Sequence, residues 1–152
     1  MSKIVTFEQA KMLKELGFDG ECLYWYNEDG VKECPIEQGY MEYYYDVDCF
    51  LNDWNAKKID RDLYGSYPPK ESYSAPTVSE ALDWVREEKG IMCGVSLDSE
   101  WRQYKWWHEL EKDRIVSHVY YETSINGYDE YPECEDKLLD SVLTYLEQKE
   151  KQ

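Results

Sequence analysis

The five cysteines (Cys22, Cys34, Cys49, Cys93, Cys134) include no C-x-x-C pair, and their odd number and wide spacing fit neither a zinc knuckle nor a redox dithiol. Reduced, structural thiols are the expectation, with no bound metal and no cofactor. No apolar run approaches the ~20 residues that cross a bilayer, so no membrane span is expected. The segment Met1-Ser2-Lys3-Ile4-Val5-Thr6-Phe7 has no secretory apolar stretch, and a cytosolic protein is the expectation. Also missing are G-x-S-x-G, a phosphate-cradling glycine loop and H-E-x-x-H. Positive charge is scarce: 17 Lys and Arg stand against 33 Asp and Glu, a formal charge of −16. Within the Debye length of ~8 Å at physiological salt, such a surface repels phosphate backbones and anionic lipids. Direct nucleic-acid binding is therefore excluded as an expectation, and a protein partner with a basic surface is favoured.

What remains is enough for a core. Apolar residues form 42% of the 152, and a chain of that length buries roughly 70% of its unfolded surface as one domain, residues 1–152. Thr6 and Gln9 make a capping box, Val5 can staple onto Ala10, and Phe7, Ala10, Leu13 and Leu16 share a helical face that Gly17 closes. Cys22 to Asn27 is rich in strand formers. It runs through Asn27-Glu28-Asp29-Gly30 into a short return at Val31–Glu33, which predicts a hairpin. Residues 36–74 form an irregular, acidic, tyrosine-rich insertion with a short helix suggested around Phe50–Trp54. Thr77 and Glu80 then make a second capping box after Pro76, and Gly90 closes a helix striped by Val78, Ala81, Leu82 and Val85. Three strand candidates follow: Ile91–Leu97, Gln103–Leu110 and Arg114–Thr123. After Asn126-Gly127 and Pro132, a last helix from about Glu133 to Gln148 carries Leu138, Leu139, Val142, Leu143 and Leu146 on one stripe. The expected fold class is α+β: a three-stranded antiparallel meander, plus an N-terminal hairpin, with three helices packed mainly on one face.

Two segments carry a resemblance. One is Phe7-Glu8-Gln9-Ala10-Lys11-Met12-Leu13-Lys14-Glu15-Leu16-Gly17-Phe18-Asp19 with Cys22-Leu23-Tyr24-Trp25-Tyr26. The other runs from Ala75-Pro76-Thr77-Val78-Ser79-Glu80 through Ala81-Leu82-Asp83-Trp84-Val85-Arg86 to Glu87-Glu88-Lys89-Gly90-Ile91. Together they resemble a family of small uncharacterised acidic proteins carried by bacteriophages and mobile elements of gut Bacteroidetes. The resemblance covers about a quarter of the chain. It implies a bacterial or phage setting, hence the cytoplasm of a bacterial host cell, and assigns no functional residue.

The fifteen tyrosines and six tryptophans are the more unusual feature. Trp25, Trp84 and one of Trp106 and Trp107 are expected in the core, because adjacent residues of a regular strand face opposite ways. Tyr40, Tyr43, Tyr44 and Tyr45, beside Asp46 and Asp48, and the loop Tyr128-Asp129-Glu130-Tyr131 combine rigid apolar area with carboxylates. That composition suits a protein interface. The reading is a non-enzymatic interaction module, in concrete form a phage-encoded inhibitor of a host protein, and in its sharpest form a nucleic-acid mimic. Two rivals stay open. One is a nucleotide-type small-ligand binder, for which cationic donors are scarce. The other is a small hydrolase using a carboxylate and one of the two histidines, His108 and His118, which the hairpin places on adjacent strands as near neighbours. Asp46–Asp53 lacks the glycine and distal glutamate of a calcium loop.

Overall fold

A computed structural model describes residues 3–34, 51, 53–56, 71–98, 103–111, 114–120 and 131–151. In chain order its elements are α1 (Phe7–Glu15), β1 (Tyr24–Asn27), β2 (Lys32–Glu33), β3 (Ser72–Ala75), α2 (Val78–Glu88), β4 (Cys93–Asp98), β5 (Gln103–Glu111), β6 (Arg114–Tyr120) and α3 (Tyr131–Glu150). The fold is α+β, with all described strand pairs antiparallel. Contacts gather the chain into two compact units. The first is Ile4–Pro76; the second is Thr77–Gln152 with Met1–Lys3.

In the first unit the Thr6 hydroxyl accepts from the Gln9 N–H, and the Gln9 side chain accepts from the Thr6 N–H, closing the capping box that starts α1. Val5, Ala10 and Leu13 are fully buried. The chain leaves α1 through Gly17 at φ 92°, and the Phe18 N–H folds back to the Leu13 carbonyl. The hairpin turn is held by Asn27, whose side-chain oxygen accepts from the N–H groups of Asp29 and Val31. Gly30 in that turn has φ 80°, and a Cβ there would come within 2.9 Å of the Phe7 ring, so both conformation and packing require glycine.

The hairpin is not a two-stranded ribbon. β3 pairs along the free side of β1, with Tyr24 opposite Ala75 and Tyr26 opposite Tyr73, giving the order β2-β1-β3. Sequence had placed these residues in the irregular insertion. Two serines in Ser72–Ala75 hide the strand, and both are buried because they have partners. The Ser72 hydroxyl donates to the Trp54 carbonyl, and the Ser74 hydroxyl accepts from the Asn55 N–H. Trp54 itself lies on Trp25, ring centroids 4.2 Å apart, and its Nε1–H donates to the Cys22 carbonyl. The described residues of the suggested helix around Phe50–Trp54 lead instead into a turn at Trp54–Ala56. On α1, Lys14 ties the helix to β3 by donating to Glu71 and to the Ser72 carbonyl, with its ammonium 4.8 Å from the Tyr73 ring centre.

In the second unit Thr77 and Glu80 form the expected capping box of α2. The meander has the order β4-β5-β6. α3 lies on β4 and β5, and α2 packs against α3. Pro132, expected just ahead of the last helix, is within its first turn, where a missing N–H costs nothing. Leu138, Leu139, Val142 and Leu143 are all 0% exposed, each contributing about 1.5–3 kcal/mol by burial. Of the adjacent tryptophans, Trp106 is buried on the α3 side. Trp107 is half-exposed on the other face, its ring beside Gly94, the residue opposite it on β4.

Candidate functional site

Alternation along β5 puts Tyr104, Trp106 and His108 on the face covered by α3, and all three are buried. His108 is 1% exposed, with its ring parallel to that of Trp106 at 5.9 Å and 6.0 Å from the Tyr145 ring on α3. Its Nε2 meets the Ser141 Oγ at 2.9 Å, and no partner of normal hydrogen-bond geometry meets Nδ1. A protonated ring would need a second acceptor as well as water. Burial therefore lowers the His108 pKa below 6.5, and an interaction with the Glu109 backbone offsets only part of this. The expected proximity to His118 is a diagonal one: β6 sets Val116 opposite His108 and His118 opposite Trp106.

Ser141 and His108 have the separation of a nucleophile and its base. The ring is 1% exposed, and its bond to Ser141 links sheet to helix. Thirty-three residues separate the two in sequence, so no local signal could have paired them.

A second polar cluster is at the start of α3. Glu135 is 8% exposed, and its carboxylate accepts from the Ser79 hydroxyl on the first turn of α2. Desolvation raises its pKa above 4.5, against the lowering effects of Ser79 and Arg86. Arg86 is committed elsewhere: its Nε donates to the Cys93 carbonyl and its guanidinium pairs with Asp83 at 2.7 Å. Cys134, 0% exposed, is pushed up to about 11 by burial and by Glu135, which keeps it a thiol at neutral pH.

A carboxylic acid whose folded pKa is raised contributes stability that is complete below its unfolded value and is lost as pH rises through the folded one. At neutral pH Glu135 therefore opposes folding. Glu135→Gln, which keeps an acceptor for Ser79, is expected to raise the melting temperature by a few degrees at pH 7 and by nothing at a pH below 4.5. Thermal unfolding of parent and variant across that range checks it; equal melting temperatures at pH 7 would contradict it.

Of the residues expected at an interface, Tyr131 is described. It stands at the first position of α3, 41% exposed, with its ring edge-on to Tyr104 at 5.8 Å. Burial of its inner side and the nearby Glu135 raise its pKa. Tyr40, Tyr43, Tyr44, Tyr45, Asp46, Asp48, Tyr128, Asp129 and Glu130 lie outside the described residues. Among the described residues no group of three His, Cys, Asp or Glu is placed to hold a metal ion, and no helix is long and apolar enough to cross a membrane.

Six described cations form ion pairs at the surface. Lys3 pairs with Glu133, Lys11 with Glu8, Lys14 with Glu71, Arg86 with Asp83, Lys89 with Glu150 and Lys151 with Glu147. Each ion pair neutralises a cation against a neighbouring carboxylate. Glu15, Glu21, Asp29, Glu87 and Glu88 remain exposed, as do Lys32, Lys105, Lys137 and Lys149. Comparisons with protein-family models, with curated proteins and with solved structures find no match to this chain.

Proposed function

We propose that the chain is a non-catalytic protein-interaction module whose partner presents a basic surface. The observation that carries this reading is the excess of carboxylates in the chain, against which six of the described cations are already paired. What the surface offers a partner is then predominantly negative, in a chain of formal charge −16. Tyr131 adds an exposed aromatic beside that charge, of the kind that anchors interfaces. The resemblance of the α1 and α2 segments to proteins carried by bacteriophages supports a host or viral protein as the partner, met in the bacterial cytoplasm. Inhibition of that partner is the form of action that fits a small interaction module.

The test is capture from bacterial lysate on the immobilised chain, followed by binding kinetics on what is retained. Raising salt shortens the Debye length to roughly 3 Å at 1 M and is expected to slow association far more than it speeds dissociation. Replacing Tyr43, Tyr44 and Tyr45 together with alanine is expected to speed dissociation instead, with the circular dichroism spectrum unchanged. A partner whose association rate ignores salt would refute the electrostatic reading. A folded triple variant binding as tightly as the parent would remove that segment from the interface.

A further inference from the structure

We infer that the first turn of α3 is a proton-operated latch: with Glu135 protonated the turn stays closed on α2, and with Glu135 ionised it opens and releases the Tyr131 ring from Tyr104. The contacts of α3 are unevenly spread. From Leu138 onward the helix is seated by Leu138, Leu139, Val142 and Leu143, each 0% exposed. Ahead of Leu138 the ties are of another kind. Lys3 pairs with Glu133 where both side chains are well exposed, so solvent screens the pair and it holds little. Tyr131 meets Tyr104 edge-on at 5.8 Å and keeps 41% of its surface exposed. Cys134 is buried, and beside it Glu135, 8% exposed, reaches Ser79 on the first turn of α2.

That last contact suits a carboxylic acid better than a carboxylate. Ser79 Oγ lies 3.3 Å from one carboxyl oxygen and 3.2 Å from the other, and its hydroxyl has one hydrogen to divide between them. An ionised carboxylate has about four acceptor sites, so burial leaves most of its solvation unreplaced. A protonated carboxyl instead donates to Ser79 Oγ. Desolvation is accordingly the largest influence on Glu135, and the surrounding charges do not reverse it. On α2, Asp83 repels the carboxylate, while the attraction of Arg86 is shared with the Cys93 carbonyl and the Asp83 carboxylate that it binds. The amino terminus adds the smallest attraction. On α3 itself, Tyr131 and Cys134 stay protonated at neutral pH. As pH rises above 4.5, the turn must either hold a charge that it solvates badly or open and hydrate it. Opening gives up only the ties ahead of Leu138 and leaves the leucine stripe seated.

Use of the latch in binding, by freeing Tyr131 for a partner, rests on the proposed function; the latch itself does not, and its test needs no partner. The experiment is amide exchange by nuclear magnetic resonance, corrected for intrinsic rates, at neutral pH and at a pH below 4.5. The first four N–H groups of a helix have no partner within it, so Glu135, Asp136 and Lys137 are the first amides of α3 whose protection reports the turn. At neutral pH their protection is expected to lie well below that of Val142 and Leu143. In Glu135→Gln, which keeps an acceptor for Ser79 and cannot ionise, it is expected to rise severalfold, and below pH 4.5 parent and variant should agree. The ring signals of Tyr131, displaced by the Tyr104 ring, should titrate together with the Glu135 carboxyl carbon. Equal protection of Glu135–Lys137 and of Val142 and Leu143 at neutral pH overturns the latch. So does a folded Glu135→Gln variant without gain, or a Tyr131 ring that does not follow the carboxyl. If the variant fails to fold, the pH profile of the parent decides. A working latch in a chain that retains no partner from lysate would leave this inference standing and refute the proposed function alone.

Discussion

Replacing Trp25 with alanine is expected to lower the stability of the first unit by about 3–5 kcal/mol, the largest effect of any single truncation in the described structure. The indole is 1% exposed, and its Nε1–H donates to the Glu33 carboxylate at 2.9 Å. Its ring carries Trp54, which brings the Trp54–Ala56 turn against β1 and β3. Truncation therefore removes more than one side chain's burial. It leaves Trp54 without its stacking partner and Ser72 and Ser74 without a fixed turn to bond. Trp25→Phe keeps a ring for Trp54 but loses the bond to Glu33, and a smaller loss is expected. Amide exchange resolved along the chain checks the ranking. Protection should fall in Tyr24–Asn27 and Ser72–Ala75, and a loss of less than about 1 kcal/mol in the alanine variant would show that the pair is not central.

The second large effect is at His108. Removing the side chain with His108→Ala is expected to cost the second unit about 2–4 kcal/mol, from the lost packing on Trp106 and Tyr145 and the unpartnered Ser141 hydroxyl. The pH dependence follows from the lowered pKa. Above 6.5 the ring is neutral in both folded and unfolded chains, and its contribution is complete. As pH falls from 6.5 towards the lower folded value, the unfolded chain takes up a proton that the folded one refuses, and stability is lost. Glu135 acts in the opposite sense, losing its contribution as pH rises from 4.5, so the two groups oppose each other in the interval between. Subtracting a His108→Phe variant isolates the histidine. Its stability should lack the decline below 6.5, and a parent and variant with parallel pH profiles would exclude this role.

Sequence revealed most where the structure is locally determined. Thr6 with Gln9 and Thr77 with Glu80 are contacts three residues apart, and both capping boxes formed as read. The meander was legible because its connections are short and its strands carry β-branched and aromatic residues. Long-range polar contacts were invisible. Ser72 and Ser74 look like loop residues until Trp54 and Asn55 come to meet them, and Ser141 reads as a solvated helix position until His108 is placed beneath it. The candidate site was legible only as composition. A cluster of tyrosines and carboxylates has no periodicity or spacing that fixes a geometry, and of its members Tyr131 is placed because it begins a helix. The buried Glu135 was missed for the same reason as the serines, since its partner Ser79 is fifty-six residues away.

The four described cysteines divide evenly, Cys22 and Cys34 in the first unit, Cys93 and Cys134 in the second, and none exceeds 5% exposure. Thiol reagents attack the thiolate and must reach it, and in the folded chain these sulfurs are shielded, with Cys93 and Cys134 also held protonated by burial. Alkylation at each is thus gated by opening of its own surroundings. The described cysteines are thus two pairs of native clocks, one in each unit. Mass spectrometry of the labelled peptides times the breathing of each half separately, without an engineered probe, and shows whether the two open together or in turn.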